Sequence, residues 1–89
     1  MEKRSLERIP VKFQADFFYG DEMYSGTVKN ISQKGMYIKT EMCPPSESKF
    51  EVLLPYNEHV LKVPVKVRSL VKTGDVYNGM GVEVFNSSP

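Results

Sequence analysis

Residues 11–19, Val11-Lys12-Phe13-Gln14-Ala15-Asp16-Phe17-Phe18-Tyr19, alternate apolar and polar side chains, and Gly20-Asp21 follows them directly. Strict alternation puts one face of an extended chain in a core and the other in solvent, so Val11, Phe13, Ala15, Phe17 and Tyr19 form the inward face of a strand. Gly20-Asp21 is a two-residue turn signal, with glycine supplying the positive φ that tight hairpins need. Residues 22–30 return as the second strand. With Gly20 and Asp21 as the turn, Tyr19 pairs with Glu22, Phe17 with Tyr24, Phe13 with Val28 and Val11 with Asn30. A slip of one residue would break these apolar matches.

Outward from this hairpin the chain continues in short extended pieces. Residues 35–40 are a third strand, 41–48 a loop with Pro44-Pro45, and 49–55 a fourth strand. Asn57-Glu58 reads as a turn. Residues 60–72 alternate again, with Leu61, Val63, Val65 and Val67 on one face and Lys62, Pro64, Lys66 and Arg68 on the other. Pro64 cannot donate to a ladder, so its nitrogen belongs at an edge or a bulge. Thr73-Gly74-Asp75 turns the chain into a last strand over 76–85, where Asn78-Gly79 and Gly81 suggest a bulge or sharp bend. No helical period of useful length occurs. Six strands, short turns and one core predict an all-β fold, a small six-stranded antiparallel β-barrel. Closure also removes exposed sheet edges. Residues 1–9 carry little apolar surface and read as a flexible N-terminal arm. The barrel is expected over 10–86 and a tail over 87–89.

Size and composition exclude much. A chain of 89 residues makes one domain and buries only about 60–65% of the surface it exposes when unfolded, so a deep catalytic cleft is not expected. The net charge of +1 gives no bulk attraction for nucleic acid or membrane. The single cysteine, Cys43, excludes an internal disulfide and a cysteine metal cluster and fits a reducing cytoplasm. No apolar run approaches the roughly 18 residues of a membrane span, and the charged N-terminus does not read as a signal peptide. His59, the only histidine, has no carboxylate cluster or cysteine pair beside it in the sequence, so neither a metal site nor nucleophilic catalysis is expected. An enzyme is the least favoured class. Met23, Met36, Met42 and Met80 read as core or rim filler.

Two short patterns carry chemistry. Arg4 and Arg8 are spaced four apart, and Asn30-Ile31-Ser32-Gln33-Lys34-Gly35 closes the second strand. Taken singly, the first is a solubilising arm and the second an ordinary turn. The hairpin register brings them together, because Arg8 must lie near 31–35 if Val11 lies beside Asn30. Arginine offers a planar fork of donors to phosphate oxygens or to the O6/N7 edge of guanine, and its flat face stacks on a base. Asn30 and Ser32 add directional hydrogen bonds. Gly35 allows close backbone approach to a ligand or a positive φ. Such a set suits a guanine nucleotide with accessible phosphates. Lys62, Lys66 and Arg68 on one strand face are either a solvated face or an electrostatic wall near that ligand.

Arg-x-x-x-Arg followed about twenty residues later by Asn/Asp-x-Ser-x-x-Gly resembles the PilZ domain, a bacterial receptor for cyclic di-GMP. The likeness extends to Arg8-Ile9-Pro10-Val11, to Gly35-Met36-Tyr37-Ile38 and to the glycine-punctuated Gly79-Met80-Gly81-Val82-Glu83-Val84-Phe85. It implies a six-stranded barrel in which Arg4 and Arg8 grip phosphates and guanines, while Asn30, Ser32 and Gly35 receive one guanine edge. Lys3 is implied as a further contact that bears on whether one ligand or an intercalated pair binds. Cyclic di-GMP is thus the expected ligand, with no other cofactor, and an unidentified downstream protein is the expected partner. A PilZ-like protein-interaction barrel without nucleotide is the alternative. An oligonucleotide-binding barrel is a third reading, weakened because most aromatics fall on the core face and Phe18 is the main exception.

Overall fold

The computed structural model describes residues 9–85. Lys3, Arg4, Arg8, the rest of the expected arm up to residue 8 and the whole of the expected tail over 87–89 lie outside the described residues, whereas Ile9, expected to end the arm, is already in a strand. Six strands follow in chain order: β1 Ile9–Tyr19, β2 Glu22–Ile31, β3 Gly35–Lys39, β4 Lys49–Tyr56, β5 His59–Thr73 and β6 Val76–Val84. All neighbours are antiparallel and close into a barrel in the order β1-β2-β3-β6-β5-β4. The architecture is the all-β barrel expected from the alternation.

The first hairpin pairs Tyr19 with Glu22, Phe17 with Tyr24 and Phe13 with Val28, and Gly20 has a φ of 67°. The register departs from expectation at one end. Asn30 faces Pro10, not Val11, because β1 carries an extra residue between Pro10 and Phe13. Strict counting from a turn has no means of seeing a bulge. Pairing begins at Ile9, opposite Ile31.

The core is Ala15, Phe17, Val28, Met36, Ile38, Val52, Val65, Val67, Met80 and Val82. Burying each large apolar side chain stabilises the fold by about 1.5–3 kcal/mol. Phe17 sits at its centre, 5.1 Å from the Phe50 ring and 5.8 Å from Tyr24. Val11, Phe13 and Tyr19 are partly buried against this cluster. Leu61 is the exception on the expected β5 face. It is exposed, as are Tyr56 and Val60 around it, because β4 pairs with β1 only through Asp16–Leu53 and Phe17–Val52 and the β4–β5 hairpin runs on past that contact. Met36 and Met80 are buried as expected, whereas Met23 is exposed.

Pro64 lies opposite Glu51 in the β4–β5 ladder, one step beyond the last β5–β6 pair, Val65–Val84. Its carbonyl accepts the Phe85 N–H at 3.1 Å. In the final strand, Asn78 is the extra residue between the pairs Val71–Gly79 and Lys72–Tyr77, which is the bulge that Asn78-Gly79 suggested.

Candidate functional site

The segment 32–34 turns the chain from β2 into β3, and hydrogen bonds made by Ser32 hold it. The Ser32 N–H donates to the Gly35 carbonyl at 2.8 Å, and Ser32 Oγ accepts the Lys34 N–H at 3.3 Å. The Lys34 carbonyl accepts the Val84 N–H at 2.8 Å, tying the turn to β6. The Ser32 hydroxyl is 3.5 Å from the Gly35 carbonyl, a weak contact that a better acceptor can replace.

Bulges shape the ground around this turn. Asn30 faces Pro10 on one side and Tyr37 on the other, with an extra residue on β1 in the first ladder and on β2, at Lys29, in the second. Across the barrel wall, Arg68 is the extra residue of β5 between the pairs Val67–Val82 and Ser69–Gly81. Bulges bend strands and re-aim side chains. They gather here at the end of the barrel where β1 begins, opposite Ile31.

An open groove of about 450 Å3 lies beside the turn, lined by Ser32, Lys34, Gly35, Arg68 and Glu83 among others. Arg68 Nε is 3.2 Å from Glu83 Oε1, and its Nη1 is 3.8 Å from Glu47 Oε2. Lys66 Nζ lies 2.9 Å from the other Glu47 oxygen. The hydrogen bond from Lys66, then its charge, hold the Glu47 carboxyl below the usual carboxylate range. Of the three β5 cations expected on one face, Arg68 therefore reaches the groove, Lys66 joins through Glu47, and Lys62 lies away on the β4–β5 hairpin opposite Leu53. Glu47 and Glu83 were not legible as members of this cluster, since a bulge and a loop bring them there.

Gly35 does not supply the positive φ that is one of its two expected roles. It is buried, and a Cβ built on it would fall on the Val82 carbonyl oxygen. The residue lets β6 approach the backbone of β3 closely, and it also lines the groove.

A larger hollow, about 750 Å3, lies at the other end of β3 and is lined by Ser25, Thr27, Lys39, Thr40 and Glu41 among others. Its buried hydroxyl, Thr40 Oγ1, is committed to internal bonds with Ser25 and Met42. The smaller groove holds the serine–glycine turn and the one arginine among the described residues, so volume does not decide between them. Among the described residues no group of three metal-ligating side chains occurs, and no helix is long and apolar enough to cross a membrane. Cys43 donates from Sγ to the Thr40 and Gly79 carbonyls, and burial pushes its thiol pKa up, which does not favour a nucleophile.

No curated protein matches the chain. The model of the PilZ domain family matches residues 2–89, and that span contains both Arg4 and Arg8 and the Asn30–Gly35 segment. With the match covering all but the first residue, the chain belongs to the PilZ domain family, binding modules and not enzymes, whose general ligand is cyclic di-GMP.

Proposed function

We propose that this chain is a cyclic di-GMP receptor that reports the second messenger to a partner protein. The observation that carries the reading is the pairing of Ile9 with Ile31. It fixes the residue that follows Arg8 opposite the residue that precedes Ser32. Consecutive Cα atoms are about 3.8 Å apart, and this supports a reading in which Arg8, one residue before Ile9, and Arg4, four residues earlier still, can reach the turn.

In this reading Arg4 and Arg8 close over the ligand, donating to its phosphates and stacking on guanine. Ser32 turns its hydroxyl from the weak Gly35 contact to a guanine edge, Asn30 adds a further hydrogen bond, and Lys3 can reach a phosphate. Gly35 contributes by shaping the turn. Charge-assisted hydrogen bonds of about 1.5–3 kcal/mol each and stacking of about 1–3 kcal/mol per base exceed the entropy of ordering a few arm residues at about 1–2 kcal/mol each. Ordering of the arm would change the surface offered to a downstream protein. The cytoplasmic setting expected from the lone cysteine belongs to the same reading.

Titration calorimetry of the full chain with cyclic di-GMP is the test, and it also gives the number of ligands bound. Saturable heat at micromolar ligand is expected. Absence of heat at high micromolar ligand sinks the proposal and leaves the protein-interaction barrel.

A further inference from the structure

The chain has three arginines, Arg4, Arg8 and Arg68. The first two belong to the motif attached at Ile9. The third lies 60 residues after Arg8 in the sequence, yet its side chain lines the same groove as Ser32, Lys34 and Gly35. It arrives there as the bulged residue of β5, with Val67 and Ser69 pairing on either side of it.

Its present partners hold it loosely. Glu83 contacts Nε at 3.2 Å and Glu47 contacts Nη1 at 3.8 Å, and the side chain is 52% exposed. Two separate carboxylates take one nitrogen each, and neither contact is the parallel two-point fork that makes an arginine pair strong. Exposed ion pairs contribute little, so the guanidinium can exchange partners cheaply. Glu47 does not lose its counter-charge in the exchange, because Lys66 stays 2.9 Å from it. Glu83 is itself part exposed and can be solvated.

We propose that Arg68 is a third ligand-gripping arginine. In the ligand-free barrel Glu83 and Glu47 hold it over the groove. On binding, it leaves them for a non-bridging phosphate oxygen of the ligand. The inference rests on the reading that this groove receives cyclic di-GMP. It adds a contact supplied from β5, outside both sequence motifs, and makes Glu83 a competitor of the ligand.

The test is calorimetry of the full chain with cyclic di-GMP, comparing wild type with Arg68→Ala, Arg68→Lys and Glu83→Gln, with circular dichroism as the check on folding. Arg68→Ala is expected to weaken binding about tenfold or more, the scale of one charge-assisted hydrogen bond. Arg68→Lys keeps part of the affinity. Glu83→Gln is expected to tighten binding about two- to fivefold, the scale of one exposed ion pair. Unchanged affinity in a folded Arg68→Ala variant overturns the role of Arg68 and leaves the receptor reading standing. Weaker binding by Glu83→Gln overturns the competition and makes Glu83 a ligand contact. A wild-type chain that gives no heat removes both readings.

Discussion

Gly35 lies against Val82 with no room for a side chain: an added Cβ would fall on the Val82 carbonyl oxygen and lie 3.1 Å from Glu83 Cα. The two residues are neighbours across the β3–β6 ladder, where Gly35 pairs with Glu83 and Met36 with Val82. The glycine that opens β3 is thus a packing requirement of the barrel.

Gly35→Ala is accordingly expected to damage the fold. The strands must separate or tilt, a cost on the scale of core overpacking, about 1–3 kcal/mol. In a domain this small each kcal/mol lowers the melting temperature by about 4–8 °C. Thermal unfolding followed by circular dichroism measures it. A variant that melts with wild type yet loses ligand would return Gly35 to the role of a direct contact.

Arg8→Ala and Ser32→Ala separate grip from scaffold. Arg8→Ala is expected to abolish cyclic di-GMP binding with the barrel's circular dichroism unchanged. Ser32→Ala removes the acceptor for the Lys34 N–H, so it should weaken binding by about tenfold and cost about 0.5–1.5 kcal/mol of stability. Urea unfolding and calorimetry on the same samples read both. Normal binding by Arg8→Ala would show that the arm is not the grip.

The barrel was legible because burial on one face enforces alternation, as at Phe13, Ala15 and Phe17, and because Gly20-Asp21 set the register for the first hairpin. Legibility ended where residues are added. The bulge between Pro10 and Phe13 leaves no mark on the apolar pattern, yet it replaces Val11 by Pro10 opposite Asn30. Arg68 reads by alternation as one of three cations on a face, and only the bulge beside Ser69 brings it to the groove. Glu47 reaches Lys66 and Arg68 from the end of a proline-containing loop with a φ of 76°, a backbone conformation with no sequence signal at a glutamate. Leu61 alternates like a core residue, but periodicity cannot tell that its hairpin overhangs the barrel.

The outer face of the first hairpin gives a pH prediction. Ser25 donates to Asp16 Oδ1 at 2.7 Å and Gln14 at 3.0 Å, and these bonds, Ser25 first, hold the Asp16 carboxyl below its ordinary value. A depressed folded-state pKa adds stability that is complete above the unfolded value, about 4, and is lost as pH falls through the lower folded value. Ser25→Ala should therefore be less stable than wild type at pH 7, with the difference shrinking below about pH 4. Urea midpoints at pH 7 and pH 3 check it. An equal difference at both pH values would assign the effect to something other than the carboxylate.

The β1–β2 ladder has nine paired positions and the β4–β5 ladder eight, whereas β1 and β4 meet through Asp16–Leu53 and Phe17–Val52 alone. That seam is short in hydrogen bonds, so side chains hold it, chiefly Phe17 and Val52, both fully buried, with Phe17 stacked on Phe50. Elements closed by few backbone bonds open at lower free energy than the rest. Native-state hydrogen exchange should show the β4 amides that face β1 exchanging faster than those that face β5. Phe17→Leu should speed the first group more than the second, because it removes the ring that bridges the seam. Phe17→Ala, at about 3–5 kcal/mol, is expected to unfold most of a domain whose total stability is on the order of 4–13 kcal/mol. Equal protection of the two sets of β4 amides would mean that the barrel opens as one unit and that the short ladder is not its weak side.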